Sequence, residues 1–115
     1  MSSDEGGGGG PSDNDVRNSQ VVLTNTEKIA ELNREIAENQ ADASDASLSG
    51  AERRAAQAAM YRNQERLHEA EIRKARDDER KARENDRHED AAAFAKEATA
   101  AEERLENAKL QRKEF

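Results

Sequence analysis

The sequence contains no cysteine and no tryptophan, and only one proline, one tyrosine and two phenylalanines. Without cysteine there is no disulfide, no thiolate metal ligand and no thiol nucleophile. Large aliphatic residues are also scarce. Leu, Ile, Val and Phe together number 14 of 115 residues, about 12%, below the roughly 20% at which a charged chain is suspected of disorder. No run approaches the ~18 apolar residues of a membrane span. The opening MSSDEGGGGG has neither the basic nor the apolar part of a signal peptide, and no Met-Gly start for myristoylation. The expectation is a soluble, unprocessed protein, cytoplasmic or virion-associated.

What is present is charge. Asp, Glu, Lys and Arg make up 39% of the chain, with a net charge of −7. The whole imbalance lies in residues 1–50, which hold ten acidic and three basic residues; residues 51–115 hold sixteen of each. An acidic arm on a neutral body either meets a basic surface or keeps the protein soluble.

Residues 1–20 are mostly Gly, Ser, Asp and Asn, and read as a flexible acidic arm. Gly6 to Gly10 are not a phosphate loop, because no strand precedes them and no GK[ST] follows. Thr24 with Glu27 has the spacing of a capping box. Ile29, Leu32 and Ile36 then recur at three and four residues, one face of a helix over about 25–41. Its opposite face is Glu31, Arg34, Glu35 and Glu38. DASDASLSG (42–50) reads as a linker, and Ser49 with Glu52 as a second capping box.

Beyond Gly50 there is no further Gly or Pro, and Ala, Glu, Arg, Lys and Gln dominate. These are strong helix formers. They predict one long helix over about 50–113, roughly 95 Å at ~1.5 Å per residue. Tyr61, Ile72, Phe94 and Leu105 fall on one stripe about 80° wide, and Met60, Leu67 and Leu110 on another. Phe94, Ala98, Ala101, Leu105 and Ala108 alternate at four and three, a local heptad with a thin Ala-rich core. In RDDERKARENDRHED (76–90) the only apolar residue is Ala82. Asp77 with Lys81, Glu79 with Arg83, Asp78 with Lys81 and Glu84 with Arg87 are pairs at helical spacing. They predict a solvated bridge between two sticky ends.

Little carries chemistry. Glu65 and His68 have the Glu-x-x-His spacing of di-metal bundles, but that site needs two such motifs and two further inward Glu residues. His68 lies among Arg62, Arg66 and Glu69, so a surface histidine is expected. His88, beside Glu89 and Asp90, is likewise expected to be a surface histidine, with a pH switch as the alternative. Carboxylates interleaved with Arg and Lys suggest a solvated helix, not an active site. Residues 52–90 hold eleven basic and eleven acidic residues, which would repel phosphates as often as attract them. No catalytic residue, cofactor, metal, nucleic acid, membrane or small-molecule ligand is expected.

The expected fold is all-α: an acidic arm (1–20), a short amphipathic helix (21–41), a linker (42–50) and a long charged helix (51–115). The two helices form a hairpin or an extended coiled-coil-like strut. The layout is similar to the small acidic helical scaffolding and accessory proteins of tailed bacteriophages, in architecture alone. It also resembles in outline the mitochondrial ATPase inhibitor family, through the Gly-rich acidic head and RRAAQAAMY (53–61). Where that family has acidic residues this chain has Ala58 and Ala59, and the family's His-rich coiled coil is absent. The resemblance implies a helical regulator of a larger enzyme. The main expectation is a non-enzymatic structural or assembly protein docking onto other proteins, with a homomeric spacer as a further alternative. The residues expected to meet the partner are Ile29, Leu32, Ile36, Tyr61, Leu67, Ile72, Phe94 and Leu105.

Overall fold

The structure is a computed structural model that describes residues 13–115, with side chains from Asn25 onward. It is all-helical among the described residues: α1 (Asp13–Ala43), α2 (Gly50–Glu84) and α3 (His88–Glu114). α1 starts well before residue 25, because the run from Asp13 to Ala43 has neither Gly nor Pro to stop it. Of the arm expected over 1–20, residues 1–12 lie outside the described residues.

The loop between α1 and α2 is closed by side chains. Asp45 accepts hydrogen bonds from the Ser47 backbone N–H at 2.9 Å and the Ser47 hydroxyl at 2.7 Å. The Ser49 capping box forms in full. The Glu52 N–H donates to Ser49 Oγ at 3.1 Å, and the Ser49 N–H donates to Glu52 Oε1 at 2.9 Å. Two of the orphan donors at the start of α2 are thereby satisfied.

The single long helix does not occur. The chain turns at Asn85–Arg87, inside the stretch expected to be a continuous bridge. The Arg87 N–H donates to the Ala82 carbonyl at 2.8 Å and the Asp86 N–H to the Arg83 carbonyl at 3.1 Å. This is a complete Schellman motif, which requires a left-handed residue after the helix end. Asp86 takes that place at φ 57°. Glycine is the usual occupant, but Asp and Asn reach this region more readily than other residues. Asn85 assists by donating its side-chain amide to the Lys81 carbonyl at 2.8 Å. After the turn, Glu89 and Asp90 sit in the first turn of α3, where negative charge favours the helix dipole.

α2 is the central helix. α1 packs antiparallel on one side of it, with Leu32, Leu67 and Ala70 as a buried cluster and Ile29 and Ile36 against it. Asn63 donates to Asn39 Oδ1 at 2.9 Å across the same seam. α3 packs antiparallel on another side, and among the described residues α1 and α3 do not pack on each other. The α2–α3 register is set by Tyr61 against Phe115 (ring centroids 5.2 Å apart), Glu71 with Arg104 at 3.3 Å and Arg76 with Glu102 at 3.7 Å. Buried Ala91, Ala98, Ala101 and Ala108 line the α3 side. Ala98, Ala101 and Ala108 belong to the heptad expected at 94–108, whose Phe94 and Leu105 are half-buried, and its partner is the chain's own α2. The Cα extents are 56 × 38 × 17 Å, those of a plate and not of a rounded bundle. No described helix is long and apolar enough to cross a membrane.

Candidate partner-docking surface

Because α1 and α3 flank α2 without meeting, a groove runs over α2 between them. It holds about 370 Å³ and is lined by Ile29 of α1, Ala75 of α2 and Phe94 of α3, with charged residues around them. Ile29 and Phe94 are half-buried. The rim is electrostatically settled. Lys74 bonds Asp78 at 2.9 Å. Arg104 bonds Glu97 at 3.0 Å and Glu71 at 3.3 Å. The hydrogen bond to the Glu97 carboxylate, helped by Glu71 and opposed by partial burial, leaves the Arg104 guanidinium with a pKa above its ordinary value. A groove with an apolar floor and a self-paired rim suits an apolar side chain more than a free ion.

A second apolar feature lies at the open end of the α2–α3 hairpin. Phe115 is 53% exposed although it packs on Tyr61, and Leu110 is 57% exposed. Met60, Tyr61 and Phe115 border a shallow depression with Gln64 and Gln111.

The residues expected to meet a partner divide into two groups. Leu32 and Leu67 are buried, and Ile29 and Ile36 pack against them, so these four build the α1–α2 seam. Leu32 and Leu67 are therefore spent inside the fold. Tyr61, Ile72, Phe94 and Leu105 are all half-buried. They do not form one stripe, because Tyr61 and Ile72 belong to α2 and Phe94 and Leu105 to α3. Met60 and Leu67 are likewise separated from Leu110. The floor of the groove thus combines one residue from each expected set, Ile29 and Phe94. Ala75 falls near the Tyr61–Ile72 stripe by helical spacing, but its side chain is too small to count among the expected partner residues.

Glu65 and His68 do not act together. Glu65 pairs with Arg112 of α3, and His68 Nδ1 lies 2.8 Å from Glu71 Oε1. No group of three His, Cys, Asp or Glu residues that could hold a metal occurs among the described residues. His88 lies 3.9 Å from Asp86 at the turn.

No family model, curated protein or solved structure matches this chain.

Proposed function

We propose that this chain is a non-enzymatic assembly protein that docks onto a larger protein through the groove over α2. The observation that carries this reading is the floor of Ile29, Ala75 and Phe94, assembled from three helices and left open. A chain this poor in large apolar residues gains little from leaving an aromatic side chain half-exposed, unless a partner covers it. The plate-like shape also leaves much of the helical surface available to a larger body. Bacteriophage virion and scaffolding components are the architectural parallel for such a role, and the layout is all that supports that setting.

The test is site-specific photocrosslinking in cells that make the protein. A benzophenone side chain at position 94 should capture a discrete heterologous protein, and Ile29→Asp should abolish the adduct. The same probe at Ala55, an exposed residue of α2, should capture little. Equal adducts from both positions would overturn the groove as the docking surface.

A further inference from the structure

An exposed face of α1 and an exposed face of α2 carry charges in matching positions. On α1 these are Glu27, Glu31, Arg34 and Glu38; on α2 they are Arg62, Arg66, Glu69 and Arg73. All eight residues are exposed. Both sets are spaced four, three and four residues apart, so each spans eleven residues, three helical turns, and runs nearly straight along its helix. The order of signs in one set is the inverse of the other: minus, minus, plus, minus against plus, plus, minus, plus.

Among the described residues none of the eight forms an ion pair within 4.0 Å. The other arginines of the α2–α3 hairpin that follow Arg73 behave differently. Arg76, Arg80, Arg83, Arg87, Arg104 and Arg112 each pair with a carboxylate. Arg62, Arg66 and Arg73, like Arg53 and Arg54 at the start of α2, have no such partner among the described residues.

Within one copy the two sets cannot meet. Leu32, Ile29 and Ile36 turn the other side of α1 toward α2, and the two helices run antiparallel. We propose that the occupant of the arginine ridge on α2 is α1 of a second copy of this chain, docked parallel in one register. Glu27 then faces Arg62, Glu31 faces Arg66, Arg34 faces Glu69 and Glu38 faces Arg73. The odd residue in each set selects this arrangement. A slip of one turn in either direction opposes Arg34 to an arginine and a glutamate of α1 to Glu69. Antiparallel docking produces the same two like-charge clashes. Like charges placed opposite each other disfavour those alternatives, so specificity comes from repulsion as well as attraction.

Each copy offers one α1 face and one α2 face, so the contact is heterologous and builds a ring or an open row, not a two-fold dimer. Exposed ion pairs contribute little individually and are screened by salt, so the association is weak and salt-sensitive. It uses faces other than the groove and stands whether or not the groove holds a partner.

The test is sedimentation velocity of the full chain over a wide concentration range. In about 20 mM salt the average sedimentation coefficient should rise with concentration, and about 500 mM salt, where the screening length is only a few ångströms, should weaken the association at least tenfold. The triple variant Arg62→Glu, Arg66→Glu, Arg73→Glu should remain monomeric, as should Glu27→Arg, Glu31→Arg, Glu38→Arg. Mixing the two should restore association. Circular dichroism verifies that each is folded. The single change Glu69→Arg separates register from general charge attraction. It makes the ridge more basic, yet opposes Arg34, so association should weaken and be recovered by adding Arg34→Glu. Association strengthened by Glu69→Arg, or unaffected by the triple changes, would overturn the register. A wild-type monomer at every concentration in low salt would overturn the proposal entirely.

Discussion

The two seams of α2 are built by different means. Against α1 it packs Leu67 and Ala70 around Leu32, with Ile29 and Ile36 beside them and one amide pair, Asn39–Asn63. Against α3 the buried residues are alanines. Ala98 and Ala101 have no exposed surface, and Ala91 and Ala108 have 3% and 5%. Charged residues close that seam, with Glu65–Arg112, Glu71–Arg104 and Arg76–Glu102 bridging the helices. Side-chain size sets how closely two helices approach within the 8–10 Å range of helix pairs. The α1 seam therefore depends on area buried per residue, and the α3 seam on fit and register.

That difference predicts opposite sensitivities. Leu32→Ala removes the most buried large side chain described in the α1 seam, leaving a gap among Leu67, Ala70, Ile29 and Ile36. It should cost about 2–4 kcal/mol. Hydrogen exchange should then show α1 losing protection while the α2–α3 hairpin keeps it. Loss of protection throughout would mean that the two seams fold as one unit. Ala101→Leu tests the other seam by insertion. With no room at a fully buried alanine, the helices must separate, at about 1–3 kcal/mol. The expected signature is a lower denaturation midpoint, with faster exchange in α3 than in α1.

The same contrast explains which parts of the fold were legible in the sequence. Ile29, Leu32 and Ile36 announce a buried face because large aliphatics at helical spacing have few other uses. The Ser49–Glu52 box was legible because both hydrogen bonds are local. The alanine heptad on α3 was also visible, but not its partner, since alanine appears on every side of α2. The turn was missed because its key residue is Asp86, and a run of charged residues with neither Gly nor Pro reads as continuous helix. Of the four ion pairs expected there, Asp77–Lys81 and Glu79–Arg83 form. Glu84–Arg87 does not, because the helix ends at Glu84, and Glu84 turns back to Arg80. Asp78 bonds Lys74 in place of Lys81. The groove was legible only as two of its parts, because Ile29 and Phe94 are brought together by a turn that the pattern does not show.

Asp86→Gly sharpens the comparison at the joint of the α3 seam. The left-handed conformation costs an ordinary L-residue about 1–2 kcal/mol, and glycine returns part of that gain as backbone entropy in the unfolded chain. A net stabilisation of about 0.5 kcal/mol is expected, visible as a higher midpoint in urea. Asp86→Val should shift it the other way, since a β-branched residue fits poorly at positive φ. If neither substitution moves the midpoint, the turn is not part of the cooperative unit.

The smallest effect expected concerns acid. Asp77 has its pKa below the ordinary carboxylate value, first through its hydrogen bond with Arg80 and then through Lys81. Glu52 and Asp45 are lowered too, by the hydrogen bonds with Ser49 and Ser47 respectively. All three groups bind protons less readily in the folded chain than in the unfolded one. Folding is therefore favoured above the unfolded carboxyl range, and that contribution is lost as pH falls below about 4 and through the folded values. Ellipticity at fixed urea should be flat from pH 7 to about 5 and decline below it. Asp77→Asn should flatten part of that decline while costing less than about 1 kcal/mol at neutral pH, as expected for a surface pair. A decline already complete at pH 5 would place the sensitive groups elsewhere.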